Sequence, residues 1–308
     1  LNNCEIANQE KTTITGLKQL RDIAYLKNND LLPLLDEKIQ EVIMYREKYP
    51  ETSYQELAEI VTMESGHSIS KSGINHYFRK IKDLVNKHKE RQMRYQLDEL
   101  LAQISNSLIL MSSACEESLT NAFDAFKAHD KEKALSIYNK DYDIHAKARE
   151  IEALCVKAMM RQQPVAKDML IISATLKLAS DVERIGTQAI AIAEIITNFD
   201  FSHQGDDILL VEKMSNEAIT MVKNCIVSFI KKDSELASSV IKRDTVVDKY
   251  FFMVKNALVQ AIKKSNDDAE FSLDLLMIAK YLERIGDHAC NVAKCTQYVL
   301  TGKLKDQE

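Results

Sequence analysis

Apolar residues recur along this chain at intervals of three and four, the spacing of helices that each bury one face. Over residues 1–92 the pattern breaks into four short helices. The first covers 17–26, and the second covers 35–49, where Pro50 ends it. A third opens at Ser53, whose S-x-x-E spacing to Glu56 forms a capping box ahead of Leu57, Ile60 and Val61. A loop over 62–69 leads to a fourth, which starts near Ser70 and carries Ile74, Phe78, Ile81 and Leu84 on one face. Residues 86–96 are dense in charge and read as a helical linker. Beyond it the stripes lengthen. Leu97, Leu101, Ile104, Leu108, Met111 and Cys115 form one, and Ile137, Asp141, Ile144, Ala148, Ile151, Cys155 and Ala158 form another. A further helix begins at Pro164, where a first-turn proline costs nothing, and runs to about Asn198. After a loop over 203–207, the same three-helix pattern returns over 208–300.

The return is an internal repeat. Glu183-Arg184-Ile185-Gly186 recurs as Glu283-Arg284-Ile285-Gly286, a shift of 100 residues. Asp168, Ala179, Ala189 and Ala193 recur as Asp268, Ala279, Ala289 and Ala293. On the middle helices the shift is 103, from Asp141 to Asp244. The fold expected is therefore all-α: a helix-turn-helix domain over 1–90, then two tandem pseudo-repeated three-helix bundles over 91–202 and 203–308.

Composition supports this. The 308 residues hold 3 Pro, 7 Gly and no Trp, too few breakers and aromatics for a β-rich chain. Net charge is -5 and uneven: residues 1–92 balance 14 basic against 14 acidic side chains, so the deficit falls wholly on the bundles. An acidic bundle suits cations better than nucleic acid. Cys4, Cys115, Cys155, Cys225, Cys290 and Cys295 form no CxxC pair and read as reduced core residues of a cytoplasmic protein. No apolar run approaches a membrane span, and no signal peptide is expected. Since the chain opens on Leu1, residues upstream of it are expected.

Candidate chemistry lies on the stripes. Asp244 sits in the seam Val240, Asp244, Val247, Phe251, Val254, Leu258, where an unpaired carboxylate is costly and calls for a cation, a metal or a proton. Asp248 lies one turn on, and Glu283 and Asp287 repeat the spacing on the next long helix. Two adjacent antiparallel helices would gather four carboxylates, an oxygen-rich set suited to divalent or trivalent metals. The competing reading is a structural ion-pair network, with Arg284 and nearby lysines neutralising the acids. A ferritin-like oxidase would need Glu-x-x-His motifs in the bundle core. The sequence has one, Glu64 to His67, and it falls in the loop of the other domain. With no paired nucleophile and base and no phosphate-cradling glycine loop, the chain does not read as an enzyme.

These same residues carry a resemblance to the PhoU family of phosphate-uptake regulators. Gln163-Pro164-Val165-Ala166-Lys167-Asp168-Met169 opens the third helix. Asp244-Thr245-Val246-Val247-Asp248 and Glu283-Arg284-Ile285-Gly286-Asp287-His288-Ala289 complete the motif set in the second half. The resemblance spans about residues 93–308, and Met93 falls where a free-standing member would start. It implies a cytoplasmic, homodimeric repressor of the phosphate-starvation response. Such a protein contacts the phosphate transporter ATPase and the phosphate sensor kinase, and binds iron or zinc as a multinuclear cluster. The ligands it implies are Asp244, Asp248, Glu283 and Asp287, with Asp141, His145 and Glu183 in the first half. There His145 replaces the second Asp and can still ligate iron or zinc, whereas Thr187 replaces the last Asp and is a poor ligand.

Residues 1–90 resemble the C-terminal helix-turn-helix domain of the WhiA family, most closely along Ile69-Ser70-Lys71-Ser72-Gly73-Ile74-Asn75-His76-Tyr77-Phe78-Arg79-Lys80-Ile81. Lys71, Ser72, Asn75, His76, Arg79 and Lys80 are the candidate DNA contacts. Asn and Arg suit base edges, and Lys and Ser suit phosphates. Against this stand the module's neutral charge and a loop longer than the usual turn. The reading is a phosphate-uptake regulator with a metal-binding bundle and a module for duplex DNA. Its alternative is a DNA-binding transcription factor whose bundle serves for dimerisation.

Overall fold

The computed structural model describes residues 2–138, 141–161, 164–202, 205–264 and 269–302. Side chains are described from Glu10 onward, except those of 141–142, 161 and 264. Among these residues the protein is helical throughout, as expected, and no helix is long and apolar enough to cross a membrane. The chain forms two compact units, Leu1–Tyr95 and Gln96–Glu308.

The first unit holds α1 (Asn2–Asn28), a 3-10 turn at Leu32–Leu34, α2 (Glu37–Lys48), α3 (Tyr54–Ser65) and the start of α4 (Lys71–Ala128). α1 is longer than the expected 17–26, because its first turns carry few apolar residues and so lack a periodic signature. The capping box forms: Ser53 Oγ accepts from the Glu56 amide at 3.3 Å, and the Ser53 amide donates to Glu56 Oε2 at 2.7 Å. The loop expected over 62–69 is shorter. α3 continues to Ser65, where left-handed Gly66 (φ 75°) stops it, and Thr62 inside the helix takes the Ile69 amide on its Oγ1 at 3.1 Å. Ser70 caps α4, its Oγ accepting from the Gly73 amide at 3.2 Å. Ile23, Leu26, Ile43, Leu57, Ile74 and Phe78 lie in the unit's core.

α4 then continues without a break through 86–96 into the second unit, since that charged stretch contains neither Gly nor Pro. The middle helix of the first half is described as α5 (Lys131–Tyr138) and α6 (Asp141–Arg161), with 139–140 outside the described residues. α7 (Ala166–Asn198) follows. Its expected start at Pro164 moves to Ala166, and Asp168 Oδ2 reaches back to accept the Val165 amide at 3.2 Å. The second half is α8 (Asp206–Lys231), α9 (Ser234–Lys264) and α10 (Ala269–Thr301). Gln163 and Asp268 lie outside the described residues.

α7 and α10 form the spine. They pack on each other; α5 and α6 lie on α7, and α8 and α9 lie on α10. The Cys115 thiol meets the Val182 carbonyl at 3.4 Å, which joins α4 to α7. Backbone detail repeats with the shift of 103: His129 and Lys232 both end their helices at φ 55°. Asp130 and Asp233 each cap the next helix, accepting the Lys133 and Leu236 amides at 2.8 and 2.9 Å. Cys115, Cys155, Cys225, Cys290 and Cys295 are free, buried thiols, and burial pushes that of Cys115 up to about 12.

The spine glycines differ in tolerance. A Cβ on Gly186 would lie 2.6 Å from Ile144 Cδ1 and 2.9 Å from Cys115 Sγ. At Gly286 the nearest atom would be Asp244 Oδ1 at 3.3 Å. Gly186→Ala is expected to lower stability by about 1–3 kcal/mol through overpacking. Gly286→Ala should stay within about 1 kcal/mol of the parent, the helix-propensity gain offsetting a tight contact. Urea titration of both variants checks the ordering, and equal losses would contradict it.

Candidate functional site

The acids named from the sequence lie along the contact between α9 and α10, where Asp244 and Asp287 have the others as electrostatic neighbours. Val240, Val247, Val254 and Leu258 anchor α9 in the core, and Leu282, Ile285 and Ala289 anchor α10. This places Asp244 and Asp248 on the α9 face that meets Glu283 and Asp287. With no side chain at Gly286, Asp244 settles close against the α10 backbone.

Two of the acids are perturbed by burial and by their neighbours. Burial holds the Asp244 carboxyl above the ordinary aspartate range, and Asp248 and Asp287 raise it further. Burial does the same to Asp287, followed by Glu283 and Asp248. Lys294 and a hydrogen bond from Cys290 oppose the shift at Asp244, while Lys280 and His288 oppose it at Asp287. Lys280 Nζ pairs with Glu283 Oε2 at 2.6 Å and lies 5.2 Å from the Phe251 ring centroid. Among the described residues, Glu283 alone of the four has a basic side chain in ion-pair contact. A fully neutralising network is therefore not in place, and Arg284 does not supply one. The oxygen-rich donor set fits a hard cation. Among the described residues, no three His, Cys, Asp or Glu side chains already surround one point as a metal shell.

The first half is arranged differently. His145 Nδ1 and Glu183 Oε1 pair at 2.6 Å, and Thr187 Oγ1 donates to the Glu183 carbonyl at 3.0 Å within its own helix. The Asp141 side chain lies outside the described residues. Two expected donors thus meet each other, and the third position is turned to its own backbone.

Sequence reasoning missed the buried pair His288 Nδ1–Asp181 Oδ1, 2.9 Å apart, which ties α10 to α7 beside Asp287. The repeat gave no signal for it, because Asp181 and His288 correspond to Tyr281 and Gln188.

In the first unit, Lys71, Ser72, Asn75, His76, Arg79 and Lys80 are all exposed on the opening turns of α4, while Ile74, Phe78 and Ile81 turn inward. The connection from α3 to α4 is Gly66 to Ser70, shorter than the expected 62–69 and close to the usual turn, so the objection from loop length weakens. Arg79 Nη2 lies 3.3 Å from His76 Nδ1, and Lys80 Nζ lies 3.6 Å from Asp36. Buried Arg46 steadies this helix. It donates to the Thr52 carbonyl at 2.7 Å, and its guanidinium stands 5.5 Å from the Phe78 ring centroid. Nothing in the sequence marks Arg46 apart from other helical arginines.

Comparison with known proteins follows the two units. Residues 1–85 match the WhiA C-terminal HTH domain, and residues 108–196 and 211–296 each match the PhoU domain. A Clostridium acetobutylicum protein named as a phosphate-specific transport system accessory protein PhoU homolog is 30% identical over 67% of this chain and 94% of its own length. A Thermotoga maritima homolog is 30% identical over 68% and 88%. The crystal structure of PhoU from Pseudomonas aeruginosa superposes with a TM-score of 0.65 at 26% identity, covering 67% of this chain and 99% of that one. The Streptococcus pneumoniae structure, at 23% identity and a TM-score of 0.64, shares the fold. With both halves matched and these relatives covered almost end to end, the chain belongs to the PhoU family.

Proposed function

We propose that this protein is a non-enzymatic regulator of phosphate uptake that represses the phosphate-starvation response through contacts with the phosphate transporter ATPase and its sensor kinase. Its relatives' names support the phosphate-transport role. One observation carries the mechanism: four carboxylates lie on facing turns of α9 and α10, burial and the neighbouring acids hold Asp244 and Asp287 above the ordinary aspartate range, and a single lysine is ion-paired among the described residues. Such a set holds either protons or a cation. In the proposed reading Asp244, Asp248, Glu283 and Asp287 hold iron or zinc, drawn together by side-chain rotation. A bound ion would supply the positive charge that the seam lacks, with Asp244 and Asp248 holding it from α9 and Glu283 and Asp287 from α10. Glu283 must exchange Lys280 for it. The first half, closed by His145 and Glu183, takes the smaller part.

The protein acts as a homodimer; exposed Phe252 and Met253 on α9 are apolar surface of the kind buried between copies. The first unit binds duplex DNA. Lys71 and Ser72 contact phosphates, and Asn75, His76 and Arg79 meet base edges. The exposure of this whole set, with the apolar residues between them buried, supports that role.

Elemental analysis tests the metal site. Asp244→Ala with Asp287→Ala should lose most bound iron or zinc, while Glu183→Ala keeps it; unchanged content in the double variant would remove the assignment. The raised carboxyls also set a pH dependence. Without a cation, ionising Asp287 costs more in the folded state than in the unfolded chain. That cost is fully present above the raised folded value and vanishes below the unfolded value of 3.8. Asp287→Asn should therefore raise the thermal midpoint of chelator-treated protein at about pH 7, and the gain should shrink toward about pH 4. In metal-loaded protein the same substitution should lower the midpoint. For the first unit, gel shifts at low salt should show duplex binding. Lys71→Ala with Arg79→Ala should weaken it and, through the lost Lys71 phosphate contact, cut the log-log salt slope by about one. Equal retention by the double variant counts against this face.

A further inference from the structure

The pseudo-repeat fails most visibly in how its two ends are filled. At one end α4, α7 and α10 bring together Phe126, Phe199 and Phe271, with ring centroids 5.4 Å apart for the first pair and 5.3 Å for the second. Phe123 and Phe201 flank them, and His129 stacks on Phe201 at 4.4 Å. The repeat maps this plug onto the other end of the bundle. There the shift of 100 replaces Phe271 with Ile171, Phe199 with Val299 and Phe201 with Thr301. The shift of 103 replaces Phe123 with Ile226 and His129 with Lys232, and Phe126 becomes Phe229. Four phenyl rings are thus exchanged for smaller side chains. In their place lies a cavity of about 300 Å³ lined by Ile171, Ile226, Phe229, Val299 and Lys232, among residues of α4, α7, α8 and α10.

The chemistry of the cavity is one-sided. Its floor includes buried Leu108, Leu178, Val182 and Val292. The two floor hydroxyls are satisfied within their own helices, Ser112 Oγ donating to the Leu108 carbonyl at 2.7 Å and Thr296 Oγ1 to the Val292 carbonyl at 3.1 Å. Neither asks for a polar ligand. The rim is open through exposed Ile109, Ile230 and Leu300. Among the described residues Lys232 is the charged residue of the lining, and no carboxylate lines the cavity against it. An apolar chamber of this size is at the lower limit of small-molecule sites.

We propose that this cavity binds a free, single-chain amphiphile: an unbranched acyl chain fills the space the aromatic rings occupy at the opposite end, and its carboxylate pairs with Lys232. The inference is independent of the metal and DNA readings, since it shares no residue with either site.

Isothermal titration with sodium decanoate and sodium octanoate tests it on the full chain. Two methylenes in an apolar chamber should make decanoate bind about 15-fold more tightly than octanoate. Ile171→Phe with Val299→Phe, which installs the residues already present at Phe271 and Phe199, should abolish saturable decanoate binding while leaving the helical content unchanged. Lys232→Asn, which keeps a residue tolerant of positive φ, should weaken decanoate by roughly threefold to fivefold and leave 1-octanol unaffected. The Lys232 variant keeps the test decisive if the double variant fails to fold. An absence of saturable binding, equal affinity for the two chain lengths, or a phenylalanine-filled variant that binds as the parent does would each overturn the proposal and leave a packing vacancy only.

Discussion

A carboxylate packed beside other carboxylates is the constraint on which the second half turns. Asp244 lies where α9 meets α10, so its charge must be met by a proton, a basic side chain or a cation. The protein supplies basic charge sparingly: Lys280 is committed to Glu283, and Lys294 acts on Asp244 from nearby. A seam satisfied by well-placed lysines would be structural and finished. One left short of positive charge on two anchored helices is adjustable, and perturbed proton affinities gather at adjustable sites. Gly286 leaves room for this arrangement, since a Cβ there would press on Asp244 Oδ1 at 3.3 Å.

The two halves answer this constraint in opposite ways. In the first, Ile144 presses on Gly186 where Val247 meets Gly286, so the hydrocarbon packing is kept. The acids are not. His145 stands for Asp248 and pairs with Glu183, and Thr187 stands for Asp287 and bonds to its own helix. Duplication preserved the spine while charge was redistributed along it, with His288 and Asp181 bridging α10 to α7 at a point where the other copy has Gln188 and Tyr281.

Features set by local chemistry were legible in the sequence. The Ser53–Glu56 box needs only two side chains three residues apart, and the E-R-I-G repeat announced both spine helices. The α9–α10 carboxylate face followed from i, i+4 spacing plus antiparallel packing. What escaped was decided by partners far along the chain or by missing periodicity. The early turns of α1 carry too few apolar residues to show a stripe. The end of α3 was hidden because Thr62, Met63 and Glu64 suit helix and loop alike, and left-handed Gly66 settles the matter. The pairing of His145 with Glu183 depends on a rotamer choice between two helices, which residue types cannot decide.

The divergence of the bundle ends follows the same logic as the divergence of the acids. A core of repeated helices tolerates substitution wherever the lost volume or charge is replaced by something else. At the α4–α7–α10 end, aromatic rings pack on one another, with centroids 5.0 to 5.4 Å apart. At the opposite end Ile171, Ile226 and Val299 remove ring volume without a compensating larger neighbour, since Phe229 is the ring retained among these equivalents. Random drift toward smaller residues would be expected to draw the helices inward. Instead α8 keeps the cap geometry of its counterpart, seen in the matched φ of 55° at His129 and Lys232, and the Cys295 thiol on the Ala174 carbonyl at 3.7 Å ties α10 to α7. α7 and α10 pack on each other along the spine, and the space left by the smaller residues stands as a chamber.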